Sequence, residues 1–173
     1  MRIVGIDIST KKIACVLLDS NRFQVIEFSS KQKSWDLRLQ ELQSQFWEFV
    51  ETTVDKENDY LFIEEIPFVQ NRLGLIRLVH VLAMCRVTAN HFDVSCSYVN
   101  VKTWKQRVVG NGGASKKHIA DKAINLYGER INGLSQDSLD ALLIATYGLV
   151  IKRYEEWSKQ EGSLTEHFGG ILR

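Results

Sequence analysis

Proline is almost absent from the chain, which has one in 173 residues, and cysteine is scarce at three. Cys15, Cys85 and Cys96 are an odd number, lack any CxxC spacing and each lie among apolar residues. That pattern predicts reduced, buried thiols and a cytoplasmic setting, and it argues against a zinc site. No run of the sequence reads as a membrane span. The N-terminal "MRIVGIDIST" has an acid at its seventh position and no cleavage-site pattern, so it is not expected to be a signal peptide. Internal repeats and linker-like stretches are also missing. What remains is 45% apolar and 25% charged, an ordinary globular composition long enough for one domain with a real core.

Net charge is only +1, but it is unevenly distributed. Residues 36–65 carry nine acids against two basic residues, whereas residues 100–130 carry seven basic residues against two acids. Such asymmetry in one small domain points to a polyanionic partner for the basic part, although solvated faces explain it as well.

Periodicity supplies the elements. "RIVGIDI", "KIACVLLD" and "FQVIEF" read as three strands joined by short polar turns, an antiparallel meander. A helix follows, with Leu39, Leu42, Phe46, Phe49 and Val50 on one stripe and Ser34 as a candidate cap. "YLFIEE" is a fourth strand, and a right-handed crossover should set it parallel to the first. Residues 69–90 read as a helix that is apolar on two faces. A central core position and a partner subunit on one face explain this equally well. "DVSCSYV" is a fifth strand. A basic, glycine-containing segment leads to a helix from about Ser115 to Tyr127, and a last helix runs from about Ser135 to Trp157. The expected fold class is α/β: a mixed five-stranded sheet, three antiparallel strands then parallel ones, with helices on both faces. The expected domain is 1–157, and 158–173 is expected to be a loosely ordered tail.

The acids carry the chemistry. Asp7 lies inside the first apolar strand, between Ile6 and Ile8, and shares a face with Gly5 and Ser9. A charge there is costly unless it binds a cation or a donor. Strand four ends in acids, Glu64 and Glu65. If strands one and four are parallel neighbours, both groups lie at the carboxyl edge of the sheet, where open α/β sheets place ligands. Glu64 and Glu65 point to opposite faces, and periodicity does not choose between them. Asp137 and Asp140, spaced i, i+3, share a helix face. Asp137 suits a helix first turn, but Asp140 lies deeper, ahead of "ALLIA". A divalent cation between the carboxylates would resolve their repulsion, and oxygen ligands favour Mg²⁺ or Mn²⁺. Acids from two strands and a helix converging on two ions suit phosphodiester hydrolysis.

In the basic segment, Gly112 and Gly113 permit close backbone approach to a phosphate, and a flexible turn explains them too. Ser115 reads as an N-cap. Lys116 and Lys117 then sit in a helical first turn, where the dipole disfavours cations, so contact with a DNA phosphate is inferred, with Lys116 on the scissile one. Phe68 and Trp104 are candidates for stacking on unpaired bases, with core packing the preferred role for Trp104.

Taken together, "GIDIST", "LFIEE", "KQRVVGNGGASKK" and "DSLDALLIA" resemble the RuvC family of Holliday-junction resolvases in the RNase H-like superfamily, over roughly residues 1–150. The resemblance implies metal ligands Asp7, Glu64, Asp137 and Asp140, and so chooses Glu64 over Glu65. It places the family's two functional lysines on Lys105 and Lys116. Lys117, Arg107, Phe68, Gly112 and Gly113 are expected as further DNA contacts. The resemblance implies two Mg²⁺ per site, with Mn²⁺ able to substitute, and a homodimer, expected through the 69–90 helix. It also implies paired nicks in a four-way junction, leaving 5′ phosphates and 3′ hydroxyls. Competing readings are a less selective branched-DNA nuclease, an RNA-processing RNase H-like nuclease, a non-catalytic junction binder and an actin-like ATPase fragment.

Overall fold

The computed structural model describes residues 1–20, 22–66 and 69–169, with side chains through 159. Five strands form one sheet in the order β3-β2-β1-β4-β5. β1 (Arg2–Ile8), β2 (Lys12–Asp19) and β3 (Arg22–Ser29) are the antiparallel meander. Ser9 closes the first turn: its N–H donates to the Lys12 carbonyl at 2.8 Å, and its hydroxyl accepts from the Lys12 N–H at 3.0 Å. After α1 (Trp35–Thr53), β4 (Asp59–Glu64) joins β1 in parallel, and after α2 (Arg72–His91), β5 (Ser95–Val99) joins β4 in parallel. The expected mixed sheet is therefore the one observed. The amino ends of β1 and β4 are clamped by Arg2, which donates to the fully buried Asp59 carboxylate at 2.9 and 2.6 Å.

Strand alternation divides the core into two layers. Val4, Ile6, Ile13, Cys15, Leu61 and Ile63 face α1 and α2. Ile3, Ala14, Val16, Leu18 and Phe62 face the opposite side, against α5 (Gln136–Gly169) and α4 (Lys116–Tyr127). Helix α5 lies very close to the sheet. A Cβ on Gly5 would stand 2.1 Å from the Ala141 carbonyl oxygen and 2.4 Å from the Ala145 nitrogen, and one on Gly148 would stand 2.6 Å from the Phe62 ring. Side chains at either position would push α5 away from β1 and β4.

Several elements depart from their expected outlines. α2 begins at Arg72, not 69, because Asn71 caps it, accepting from the Leu73 and Gly74 N–H groups at 3.0 and 3.2 Å. Ser34 occupies the cap position of α1, but its side chain makes no capping hydrogen bond. The segment after β5 is helical at once: α3 (Val101–Trp104), capped by Asn100, continues into a π-helical turn over Lys105–Val109. The last helix continues past Trp157 to Gly169. α2 buries Val81, Met84, Cys85, Thr88 and Ala89, yet leaves Leu73, Ile76, Val79 and Val87 exposed, so it is buried on one face rather than two. By length and composition alone α2 is apolar enough to cross a membrane, although no run of the sequence was expected to do so. Its inner face packs on α1 and the sheet.

Candidate active site

The fold brings the four acids to one edge. Asp7 follows Ile6 on β1, and Glu64 follows Ile63 on β4; Ile6 and Ile63 are register partners, so the two carboxylates end neighbouring parallel strands. Glu64 shares its face with Phe62, and Asp7 shares its face with Ile3 and Gly5, which is the face covered by α5. Asp137 and Asp140 lie in the first turns of α5, just ahead of Ala141. The close approach of α5 at Gly5 sets these acids over the end of β1.

Electrostatics report the convergence. Burial pushes the Asp7 carboxyl up to about 9, with Glu64, Asp140 and Asp137 adding repulsion, and Asp7 shares a hydrogen bond with Glu64. Burial also raises Glu64, against the lowering effects of Trp104, Asp7 and Lys105. Burial raises Asp140 to about 6, offset by its hydrogen bond from Gln136 and by Lys105, and reinforced by Glu64 and Asp137.

Three of the four acids also have a neutral or cationic holder; Asp7 has only its hydrogen bond with Glu64. The Trp104 indole Nε1–H donates to Glu64 Oε1 at 2.9 Å. Gln136 Nε2 donates to Asp140 Oδ1 at 2.7 Å. Lys12 Nζ pairs with Asp137 Oδ2 at 2.9 Å. Held in this way, no group of three or more His, Cys, Asp or Glu side chains among the described residues stands as a ready cation cage. The donor set nevertheless fits a hard divalent cation: it is all oxygen, partly withdrawn from water, and burial, with repulsion among the acids, raises the Asp7 carboxyl to about 9.

Glu65 is separate from this group. Its carboxylate accepts from Asn100 Nδ2 at 3.0 Å, and its N–H donates to the Val99 carbonyl at 2.9 Å. It ties β4 to the turn after β5.

The basic residues divide into near and far. Lys105 lies over the Trp104 ring at 5.4 Å, and its charge acts on both Glu64 and Asp140. Trp104 itself is fully buried, so it packs in the core and is not available to stack on a base. Arg107 is exposed on the π-helical turn. Lys116 and Lys117 are exposed on the first turn of α4, behind the Ser115 cap, and neither pairs with an acid among the described residues. The Gly112 N–H donates to Gln106 Oε1 at 3.0 Å and the Gly113 N–H to Asn111 Oδ1 at 2.9 Å, which makes this loop a closed turn with its amides already engaged. Phe68 lies outside the described residues.

Sequence reasoning missed Lys12, Glu27, Gln136 and Asn100, and the hydrogen bond from Trp104 to Glu64. For Lys12 a signal existed. In "KIACVLLD" it alternates with Ala14 and Val16, and antiparallel pairing with β1 carries that face to Asp7.

No family model matches the chain. Over 89 residues it is 38% identical to the crossover junction endodeoxyribonuclease RuvC of Francisella tularensis subsp. novicida (strain U112), a match covering 48% of each chain. The same figures hold for RuvC from subsp. holarctica (strain LVS) and subsp. tularensis (strain SCHU S4). The match thus spans about half the length of these curated relatives. Among solved structures, the fold matches Thermus thermophilus RuvC in complex with Holliday junction substrate, with a TM-score of 0.74, 18% identity and coverage of 90% of this chain and 96% of that one. It also matches a Thermus thermophilus RuvC structure with a TM-score of 0.71, again at 18% identity, covering 90% and 97%. The fold is therefore the RNase H-like fold of RuvC, and the resemblance drawn from the four motifs recurs in both comparisons.

Proposed function

We propose that the chain is a divalent-metal-dependent endodeoxyribonuclease that resolves four-way DNA junctions by paired nicks, leaving 5′ phosphates and 3′ hydroxyls. The observation that carries this reading is the convergence of Asp7, Glu64, Asp137 and Asp140 from β1, β4 and α5, with Asp7 pushed up to about 9 by burial and by the other three acids. The similarity to RuvC proteins in sequence and fold supports the same reading.

Asp7, Glu64, Asp137 and Asp140 would hold two Mg²⁺ ions, or Mn²⁺ in their place. Bound there, the ions would supply water activation and stabilisation of the leaving 3′ oxygen. Trp104 orients the Glu64 carboxylate, and Gln136 orients that of Asp140. Lys105 brings positive charge to the same edge, where a phosphodiester carries negative charge. Exposed Arg107, Lys116 and Lys117 would contact flanking phosphates, with Lys116 at the scissile one. Gly112 and Gly113, in a closed turn without side chains, would let the backbone come near a strand. Phe68, after β4, would stack on a base at the opened junction. A homodimer through α2 is supported by its exposed Leu73, Ile76, Val79 and Val87. A cytoplasmic location agrees with three free thiols, Cys15, Cys85 and Cys96.

The test is incubation with a labelled four-way junction, a linear duplex, a replication fork and a structured RNA, each with Mg²⁺ or with EDTA. Paired nicks in the junction with Mg²⁺ alone are expected. Equal cutting of the fork would make the chain a general branched-DNA nuclease, and cutting of RNA alone an RNA-processing enzyme. Failure to cut any branched DNA would overturn the proposal.

A further inference from the structure

Lys12 is the first residue of β2, and its side chain lies on the face that carries Asp7, as do those of Ala14, Val16 and Leu18. The ammonium has three partners, one on β3 and two at the start of α5: Glu27 Oε1 at 3.3 Å, Asp137 Oδ2 at 2.9 Å and Ser135 Oγ at 3.3 Å. Glu27 is positioned by the sheet, since it pairs with Ala14, which pairs with Asp7. Its carboxylate also accepts from the hydroxyls of Ser135 and of Ser138, the latter at 2.6 Å. Lys12 thus stands between a candidate metal ligand and an anchored carboxylate that takes no part in the acid cluster.

We infer that Lys12 is a positioning residue that occupies Asp137 in the absence of a cation and sets how strongly the Asp137 side of the site binds one, with Glu27 as its counter-anchor. This rests on the reading of the four acids as a divalent-cation site. An ammonium 2.9 Å from one ligand competes for its oxygen and repels an arriving dication. Glu27 weakens that competition by sharing the ammonium with Asp137. An ordinary exposed ion pair would have little effect on anything beyond itself, but Lys12 is only 25% exposed and is fixed at its backbone by the Ser9 turn.

The two halves of the device predict opposite signs. Removing the Lys12 charge should tighten cation binding; removing the Glu27 charge leaves Lys12 to Asp137 alone and should weaken it. A merely structural role would shift both variants the same way.

The experiment is titration of the full chain with Mn²⁺ alone, without DNA, counting free ion by electron paramagnetic resonance. Melting in EDTA confirms that each variant is folded, and Lys12→Gln replaces Lys12→Met if the latter is not. Lys12→Met should lower the Kd of the weaker Mn²⁺ site by about tenfold, an effect that shrinks as salt is raised. Glu27→Gln should raise it, and Lys12→Arg should leave it near that of the unaltered chain. Unchanged or weaker binding in Lys12→Met, or unchanged or tighter binding in Glu27→Gln, overturns the inference while leaving the metal-site reading intact. An unaltered chain that takes up no Mn²⁺ overturns both.

Discussion

Trp104 donates its indole N–H to Glu64 Oε1 at 2.9 Å from a fully buried position, so a core side chain holds a candidate site carboxylate in place. The contact joins the basic segment after β5 to the end of β4, and it opposes the effect of burial on the Glu64 carboxyl. Trp104→Phe keeps an aromatic ring but removes the donor. Junction cleavage should fall about tenfold, and stability by about 2 kcal/mol as the hydrogen bond to a charged group is lost. Single-turnover cleavage and urea unfolding measure the two effects. Unchanged cleavage would mean that Glu64 needs no holder.

The adjacent acids of β4 have different partners, Trp104 for Glu64 and Asn100 for Glu65. Glu64→Gln should abolish cleavage, whereas Glu65→Gln should leave it nearly intact and cost about 1 kcal/mol or less through its altered hydrogen bond to Asn100. Equal losses in the two variants, assayed on the same labelled junction, would contradict the assignment.

This pair also shows where the sequence stops being informative. Alternation places Glu64 and Glu65 on opposite faces, but only the packing of α5 makes one face the candidate site. That packing depends on the missing side chain at Gly5, opposite Ala141 and Ala145, a tertiary fact with no local signature. The strands, their order and the acids themselves were legible, because apolar alternation and the i, i+3 spacing of Asp137 and Asp140 are local. Trp104 was less so. It sits among lysines and glycines in sequence, and its bond to a glutamate forty residues away appears only once β4 and β5 are neighbours. The alternation of β2 gives the face of Lys12, but its partners appear only when β3 brings Glu27, and α5 brings Asp137, to it.

Gly5→Ala tests the close approach directly. The added Cβ would meet backbone atoms of α5 at 2.1 and 2.4 Å, so the helix must shift. A stability loss of about 3 kcal/mol is expected, together with weaker Mn²⁺ binding, because Asp137 and Asp140 move with α5. A stable variant with unaltered binding would mean that the helix position does not set the site.

Asp7 gives the pH dependence. Its pKa rises from 3.8 to about 9 in the folded chain, so the folded state holds this proton more tightly than the unfolded state does. Its contribution to stability is full below 3.8, declines as pH rises, and is lost above about 9. Without metal, melting temperature should therefore fall between about pH 5 and about pH 9. Asp7→Asn should flatten that slope, by an amount on the order of 2 kcal/mol at the alkaline end. Mg²⁺ should restore stability most strongly at high pH, where the carboxylates are free to bind it. Calorimetry across that range, with EDTA or with Mg²⁺, checks both statements; a slope unchanged by Asp7→Asn would contradict them.

The most direct measurement of the central claim is binding and cleavage of one labelled four-way junction by Asp140→Asn, beside the unaltered chain, in Mg²⁺. Asp140 lies past the helix first turn, is raised to about 6 mainly by burial, and is held by Gln136 on the face shared with Asp7. The predicted result is retained junction binding with cleavage lost. Cleavage at the full rate by Asp140→Asn would contradict the account, because the acid would then lie outside the chemistry that its position and charge assign to it.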